Sequence, residues 1–186
     1  MSLDLSRSLA PVEPRLAPLF SFVLLAVAAA LASLVFACAT PFAAFAVVAA
    51  GLLSLPAALA VVGAAWIVNQ VIGYGVLGYP HDANTALWGL AIGIAALVAV
   101  AAAKVTLRLA PRTGTAIALV LGLVTAYAAF ELVLLAFTPW LGDAGDFSAA
   151  IVGRLGLLNV LWLAGLLAVC AVAAPLSAMR RRHALS

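Results

Sequence analysis

Residues able to bind a solute lie close together near the end of one apolar stretch. Trp66 is followed three and four residues later by Asn69 and Gln70, and Gln70 is followed by Tyr74. Side chains at this spacing share one face of a helix. The amides offer hydrogen-bond donors and acceptors, and the rings offer stacking surfaces. Because adjacent amides inside a membrane helix cost free energy unless they contact protein, water or a ligand, we expect this face to line a cavity open to the exterior.

More polar and aromatic residues follow in the next loop and at the start of the next apolar segment: Tyr79, His81, Asp82, Asn84 and Trp88. The loop sequence Gly-Tyr-Pro-His-Asp is typical of a turn, with a helix cap expected at Asn84 or Thr85. Two interpretations stay open for the whole cluster. It forms a binding pocket, or its amides bind neighbouring helices while its rings belong to the interfacial aromatic belt.

Glu131 and Asn159 are further polar residues within apolar segments. A carboxylate at such a position must become protonated or find a partner. Arg154 is the obvious partner for Glu131, and the alternative is that one or both side chains face a polar ligand. The predicted outer halves of the segments hold these groups, whereas the inner halves are almost pure Ala, Leu, Val and Gly. A continuous ion path across the membrane is therefore not indicated.

The composition requires a membrane protein. Of the 186 residues, 68% are hydrophobic and 8% are charged, and the mean hydropathy is +1.29. Alternating strand patterns are absent, so the sequence predicts an all-α bundle of six transmembrane helices in one domain. The segments are 17–38, 42–54, 56–77, 85–110, 113–137 and 147–176, preceded by a cytoplasmic arm (1–16) and followed by a basic tail (177–186). The second segment is short, so it is either a short helix among longer neighbours or half of a re-entrant pair.

Charge placement predicts the orientation. If both termini are cytoplasmic, the inner side receives the basic residues Arg7, Arg15, Lys104, Arg108, Arg112 and Arg180 to Arg182. The outer loops then hold Asp82, Asp143 and Asp146, with Arg154 near that surface. This distribution follows the positive-inside rule.

The motifs of several function classes are missing from the sequence. There is no His-Glu-x-x-His, no Gly-x-Ser-x-Gly and no phosphate-binding loop, and Cys38 and Cys170 lack zinc-site spacing. We therefore expect neither an enzyme nor a nucleic-acid-binding protein, and no resident cofactor.

Ala26 and Ala30 form an Ala-x-x-x-Ala pattern on the first segment, whose small residues permit close approach of another helix. With this pattern, six segments and a short second one, the chain resembles the substrate-binding S-component of energy-coupling factor vitamin transporters. The resemblance implies that Ala26 and Ala30 dock on a separate transmembrane coupling subunit whose ATPases supply energy. It also implies a location in the bacterial cytoplasmic membrane.

Within that family, this chain is most similar in its general sequence character to the cobalamin-specific members. Some of them bind the corrin cobalt through a cysteine where the third and fourth segments meet. This chain departs from that pattern, because it has Tyr79-Pro80-His81-Asp82 there, with a histidine and no cysteine. Imidazole also binds cobalt, so His81 is expected to replace the cysteine as the ligand. The transported vitamin is then expected to contact Trp66, Asn69, Gln70, Tyr74, Tyr79, His81, Trp88, Glu131 and Asn159. The alternatives are an assembly subunit without a small-molecule substrate and a self-contained small-solute transporter.

Overall fold

The computed structural model describes residues 12, 15–36, 39–110, 114–142 and 148–184, with side chains to residue 174. This part of the chain contains six α-helices and no strand. They are α1 (Ala17–Phe36), α2 (Phe42–Leu52), α3 (Leu55–Gly75), α4 (Ala83–Leu109), α5 (Thr115–Leu141) and α6 (Ala149–Ala184). All except α2 are long and apolar enough to cross a membrane. The chain is therefore a polytopic helical membrane protein, and the predicted all-α fold with a short second helix is confirmed.

Helix boundaries differ from the predicted segments by a few residues, except at the C-terminal end. There α6 continues to Ala184, beyond the expected end at 176. Most of the predicted arm lies outside the described residues, as do Cys38, Arg112, Asp143 and Asp146. The orientation of the chain in the membrane stays a prediction, and "outer end" below means the end of the bundle that carries the α3–α4 loop.

Helix α2 is enclosed by the rest of the protein. Every residue from Phe42 to Gly51 is buried, and α2 packs against α3, α4, α5 and α6. Its 11 residues span only about 16 Å, against a hydrocarbon core of about 30 Å. Because both ends of such a helix lie away from bulk water, their free N–H and C=O groups need partners within the protein.

Side chains from two long helices supply those partners. At the N-terminal end of α2, the backbone N–H of Ala44 donates to Oδ1 of Asn159, on α6, at 3.0 Å. At the C-terminal end, Nζ of Lys104, on α4, donates to the carbonyl oxygens of Ala50 at 2.7 Å and Leu53 at 2.6 Å. A cation at this end also interacts favourably with the helix dipole. The short helix is thus capped from outside at both ends.

Helices α3 and α4 approach closely because glycines of α4 leave room for large side chains of α3. Nε1 of Trp66 donates to the carbonyl oxygen of Gly89 at 2.9 Å. A Cβ atom on Gly93 would lie 2.8 Å from Cε2 of Trp66, and one on Gly89 would collide with Oε1 of Gln70. These contacts fix the outer end of α4 against α3.

Candidate functional site

A cavity of about 550 Å³ lies in the bundle, toward the outer end. The start of α2 and the loop before it border the cavity, together with the α3–α4 loop, the first turns of α4, the second half of α5 and the first half of α6. Its lining residues are Ala39, Thr40, Phe42, Ala43, Tyr79, Pro80, Thr85, Trp88, Ile92, Tyr127, Phe130, Glu131, Leu134, Ile151, Leu155 and Asn159. The cavity therefore occupies depth that the short α2 leaves unfilled.

Aromatic side chains form much of the cavity wall. Phe42 and Phe130 are stacked, with ring centroids 6.2 Å apart and an angle of 27° between the ring planes. Tyr127 is held in place by its hydroxyl, which donates to the carbonyl oxygen of Val152 at 2.6 Å. Trp88 contributes a further ring from α4. An apolar, aromatic wall of this kind with few polar groups is typical of small-molecule sites.

Glu131 brings a carboxylate to this wall. Its Oε1 atom is buried and has no hydrogen-bond partner within the described part of the chain. Arg154 is exposed, and it does not bind that oxygen, so the expected pairing with Glu131 is not seen there. Among the described lining residues there is no Lys, Arg or His. The described lining thus contains one carboxylate and no basic side chain.

Four of the residues predicted to bind a ligand line this cavity: Tyr79, Trp88, Glu131 and Asn159. Asn159 is already engaged, because its Oδ1 accepts from Ala44 and its Nδ2 donates to the carbonyl oxygen of Leu155 at 3.0 Å. Its main contribution is to hold the start of α2, and thereby Phe42, against the cavity.

The amides of α3 do not line the cavity. Asn69 is 3% exposed, and its Nδ2 donates to Oγ of Ser33 at 2.8 Å and to Oγ1 of Thr40 at 2.9 Å. Nε2 of Gln70 donates to Oδ1 of Asn69 at 3.0 Å. This network joins α1, the α1–α2 connection and α3. Instead of forming the expected cavity wall, the amides bind neighbouring parts of the protein, and Thr40 connects them to the cavity.

Trp66, Tyr74 and His81 also lie outside the lining. Trp66 is bound to α4, as described above. Tyr74 contacts Tyr79, with ring centroids 6.2 Å apart, and the exposed His81, at 5.3 Å. His81 directly follows Pro80, which lines the cavity. Within the described residues, no group of three His, Cys, Asp or Glu side chains could hold a metal ion.

The loop before α4 is ordered by a cap different from the predicted one. Asp82, and not Asn84 or Thr85, is the N-cap of α4, and its Oδ1 accepts from the backbone N–H of Thr85 at 2.8 Å. This hydrogen bond lowers the pKa of the exposed Asp82 carboxyl from its ordinary value. Because Thr85 lines the cavity, the cap positions one of its edges.

Several lining residues were missed by sequence reasoning, notably Thr40, Phe42, Tyr127 and Phe130. Helical periodicity contains a signal for two of them. Tyr127, Glu131 and Leu134 recur at spacings of four and three, and Phe130 adjoins them on the same face of α5. The contribution of Phe42 follows only from the position of α2.

Ala26 and Ala30 are half-buried on α1. They lie between a buried side that includes Leu25, Ala28 and Ala29 and exposed neighbours such as Val27 and Leu31. This position leaves part of the Ala-x-x-x-Ala face accessible from the membrane.

Only the geometry of the site bears on its function. No known protein family, curated protein sequence or solved structure matches this chain. The chemistry of the cavity and the surface of α1 are therefore the basis for assigning a role.

Proposed function

We propose that this protein is a membrane-embedded capture subunit for uptake of a vitamin or related micronutrient, energised by a separate coupling module with ATPases. The observation that carries the proposal is the aromatic cavity with the unpartnered Glu131 oxygen at its wall. Its volume falls within the roughly 300 to 1,000 Å³ of ordinary ligand pockets. A buried carboxylate oxygen without a partner lowers stability, which is understandable if a solute supplies the partner.

The proposal assigns no catalytic activity and no energy transduction to this chain. Several of the described polar groups lie around the outer cavity and at the capped ends of α2, and the proposal leaves release on the other side to a coupling subunit. Ala26 and Ala30 are the proposed docking face, because they are half-buried and small residues allow close helix approach. A location in the bacterial cytoplasmic membrane belongs to the same proposal.

Cobalamin is the first vitamin to test. A corrinoid is larger than the cavity, so part of it would lie beyond the lining residues. His81, the exposed imidazole proposed as the cobalt ligand, directly follows the lining residue Pro80. A smaller vitamin would be enclosed by the lining residues alone, without contacting His81.

Ligand-dependent stabilisation tests the proposal. The full-length protein, purified in detergent, is heated with cyanocobalamin and with a panel of smaller vitamins. A solute at 100 times its dissociation constant stabilises the folded state by about 2.7 kcal/mol. If cyanocobalamin binds and His81 coordinates its cobalt, the absorbance spectrum of the corrin should change on binding. Replacing His81 by alanine should remove that change. If no vitamin shifts unfolding, the capture function is wrong.

A second candidate is an assembly subunit of a larger membrane complex. It is favoured by the finding that Trp66, Asn69 and Gln70 all bind other parts of the bundle. A wholly apolar groove of about 630 Å³ between α1 and α6 also fits a helix of a partner. This candidate predicts no response to any vitamin, together with copurification of a stoichiometric membrane partner that is lost when Ala26 and Ala30 are replaced by leucine.

A further inference from the structure

We propose that Glu131 anchors a nitrogen donor of the captured solute, either an ammonium group or a primary amide N–H, while the solute's apolar or ring portion packs against Trp88 and Phe130. This inference rests on the proposed capture function and defines the chemical class of the solute. It follows from two features of the described cavity wall, which are a buried carboxylate oxygen without a partner and the absence of basic side chains.

The described lining of the cavity includes an acceptor without a partner in the described part of the chain. Oε1 of Glu131 is buried with no hydrogen-bond partner in the described residues. The other polar side chain shared with the predicted site, Asn159, already uses its oxygen and its nitrogen within the protein. A bound ammonium group would hold Glu131 in its ionised form and make a charge-assisted hydrogen bond with it, which is among the stronger polar contacts in proteins. A primary amide N–H would donate to the same oxygen.

The lining also disfavours anionic solutes. An anionic solute would find no Lys, Arg or His among the described lining residues to balance its charge. Glu131 would also repel it whenever that side chain is ionised. Vitamins whose recognition depends on an acidic group are therefore poor candidates for this cavity.

Aromatic rings complete the recognition. Trp88, Tyr127, Phe130 and Phe42 line the same cavity, and the rings of Phe42 and Phe130 are stacked on each other. Ring faces attract both flat apolar groups and cations. A solute with a nitrogen donor on a ring-containing body satisfies the carboxylate and the rings together.

Two sources of N–H donors are distinguished with matched probes. Tryptamine carries an ammonium group on an indole, tryptophol carries a hydroxyl on the same body, and cyanocobalamin carries primary amides. Binding of each to the wild-type protein, to Glu131→Gln and to Glu131→Leu is measured by thermal shift and by titration calorimetry in detergent. Glutamine keeps an acceptor oxygen but not the charge, whereas leucine keeps neither.

A cationic solute is indicated if tryptamine binds the wild-type protein at least tenfold more tightly than tryptophol does, and if the affinity for tryptamine falls at least tenfold in both variants. An amide solute is indicated if cyanocobalamin binds to the wild-type protein, if its affinity changes less than threefold in Glu131→Gln, and if its affinity falls at least tenfold in Glu131→Leu. The conservative change Leu132→Met, at an exposed position of α5 outside the cavity lining, is the control and should alter affinity less than threefold.

Stability without a solute gives an independent readout. Because Glu131→Leu removes a buried oxygen, Oε1, that has no partner among the described residues, the ligand-free variant should unfold at the same temperature as the wild type or higher. Equal binding of any probe or vitamin by the wild type and Glu131→Leu would overturn the role of Glu131 and leave the capture function standing. Absence of binding by every vitamin and probe would overturn both.

Discussion

Lys104 and Asn159 bind opposite ends of the same buried helix. Lys104 donates from α4 to carbonyl groups at the end of α2, and Asn159, on α6, accepts from the Ala44 N–H in the first turn of α2. Between them α2 is held at a fixed depth, with Phe42 at the cavity. The position of the proposed binding site thus depends on two polar contacts made within a largely apolar bundle.

Replacement of Lys104 by methionine should destabilise the fold. Two carbonyl oxygens at the end of α2 would lose their donor, and each buried, unsatisfied group costs about 1 to 3 kcal/mol. We expect a loss of about 2 to 4 kcal/mol, measured by denaturant unfolding in mixed micelles. Arg108→Met is the matched control, because Arg108 lies on the same helix and is exposed. Equal losses in the two variants would contradict the capping role.

Asn159→Leu should weaken the start of α2 and the cavity together. The Ala44 N–H would lose its acceptor, and removal of a helix N-cap costs about 1 to 2 kcal/mol. We expect that decrease in the free energy of unfolding and weaker binding of any captured solute, since Phe42 is no longer fixed. Val160→Leu, at an exposed neighbouring position, should change neither quantity. Full stability in Asn159→Leu would show that Ala44 has another partner.

Asn69→Leu tests whether the α3 amides stabilise the bundle or bind the solute. The substitution removes the hydrogen bonds to Ser33, Thr40 and Gln70, and we expect a loss of about 1 to 3 kcal/mol. Affinity for a solute should change little in the protein that remains folded, because Asn69 does not line the cavity. Ile67→Leu, on the exposed side of α3, serves as control. A large loss of affinity with unchanged stability would instead assign Asn69 to the binding site.

Gly93→Ala should disturb the contact between α3 and α4. The new Cβ would lie 2.8 Å from Cε2 and 3.0 Å from Nε1 of Trp66, a rigid ring that is itself bound to Gly89. Overpacking of this kind costs about 1 to 3 kcal/mol. Gly153→Ala, where a Cβ meets nothing within 4 Å, should be neutral or slightly stabilising. Thermal unfolding of both variants checks the difference, and a stable Gly93→Ala would mean that Trp66 moves freely.

The Asp82 cap should respond to acid. The hydrogen bond from Thr85 favours the charged carboxylate in the folded protein, so its pKa lies below the ordinary value of 3.8. The stabilisation is therefore present above that ordinary value and is lost as the pH falls through the lowered one. The Thr85 amide proton shift, followed by NMR, should titrate with a midpoint below 3.8. Asp82→Asn should abolish this titration, whereas a midpoint at or above the ordinary value would contradict the cap.

The helical segments could be predicted from sequence because apolar length alone determines membrane spans. The role of the α3 amides could not be predicted from the sequence. The periodicity of Asn69 and Gln70 shows that they share a face, but it does not show what that face meets. Their partners Ser33 and Thr40 are separated from Asn69 by 36 and 29 positions in the chain. In an Ala-rich sequence such long-range pairing leaves no pattern.

The cavity was predictable only in part. Glu131 stood out because a carboxylate is rare in an apolar helix, and Tyr79 and Trp88 stood out as aromatic residues near a loop. Phe42 could not be recognised, because phenylalanine in an apolar run gives no indication that a neighbouring space exists. That space arises from the length of α2 relative to the long helices, which is a property of the assembled bundle.

The enclosure of α2 also constrains how the chain can be inserted into the membrane. The Ala44 amide and the Asn159 side chain that accepts its hydrogen bond are 115 positions apart in the chain. During synthesis, α2 therefore emerges long before the residue that completes its first turn. Until α6 enters the bilayer, the first turn of α2 lacks this hydrogen-bond acceptor. Insertion of α6 is therefore also the step that encloses α2 within the protein.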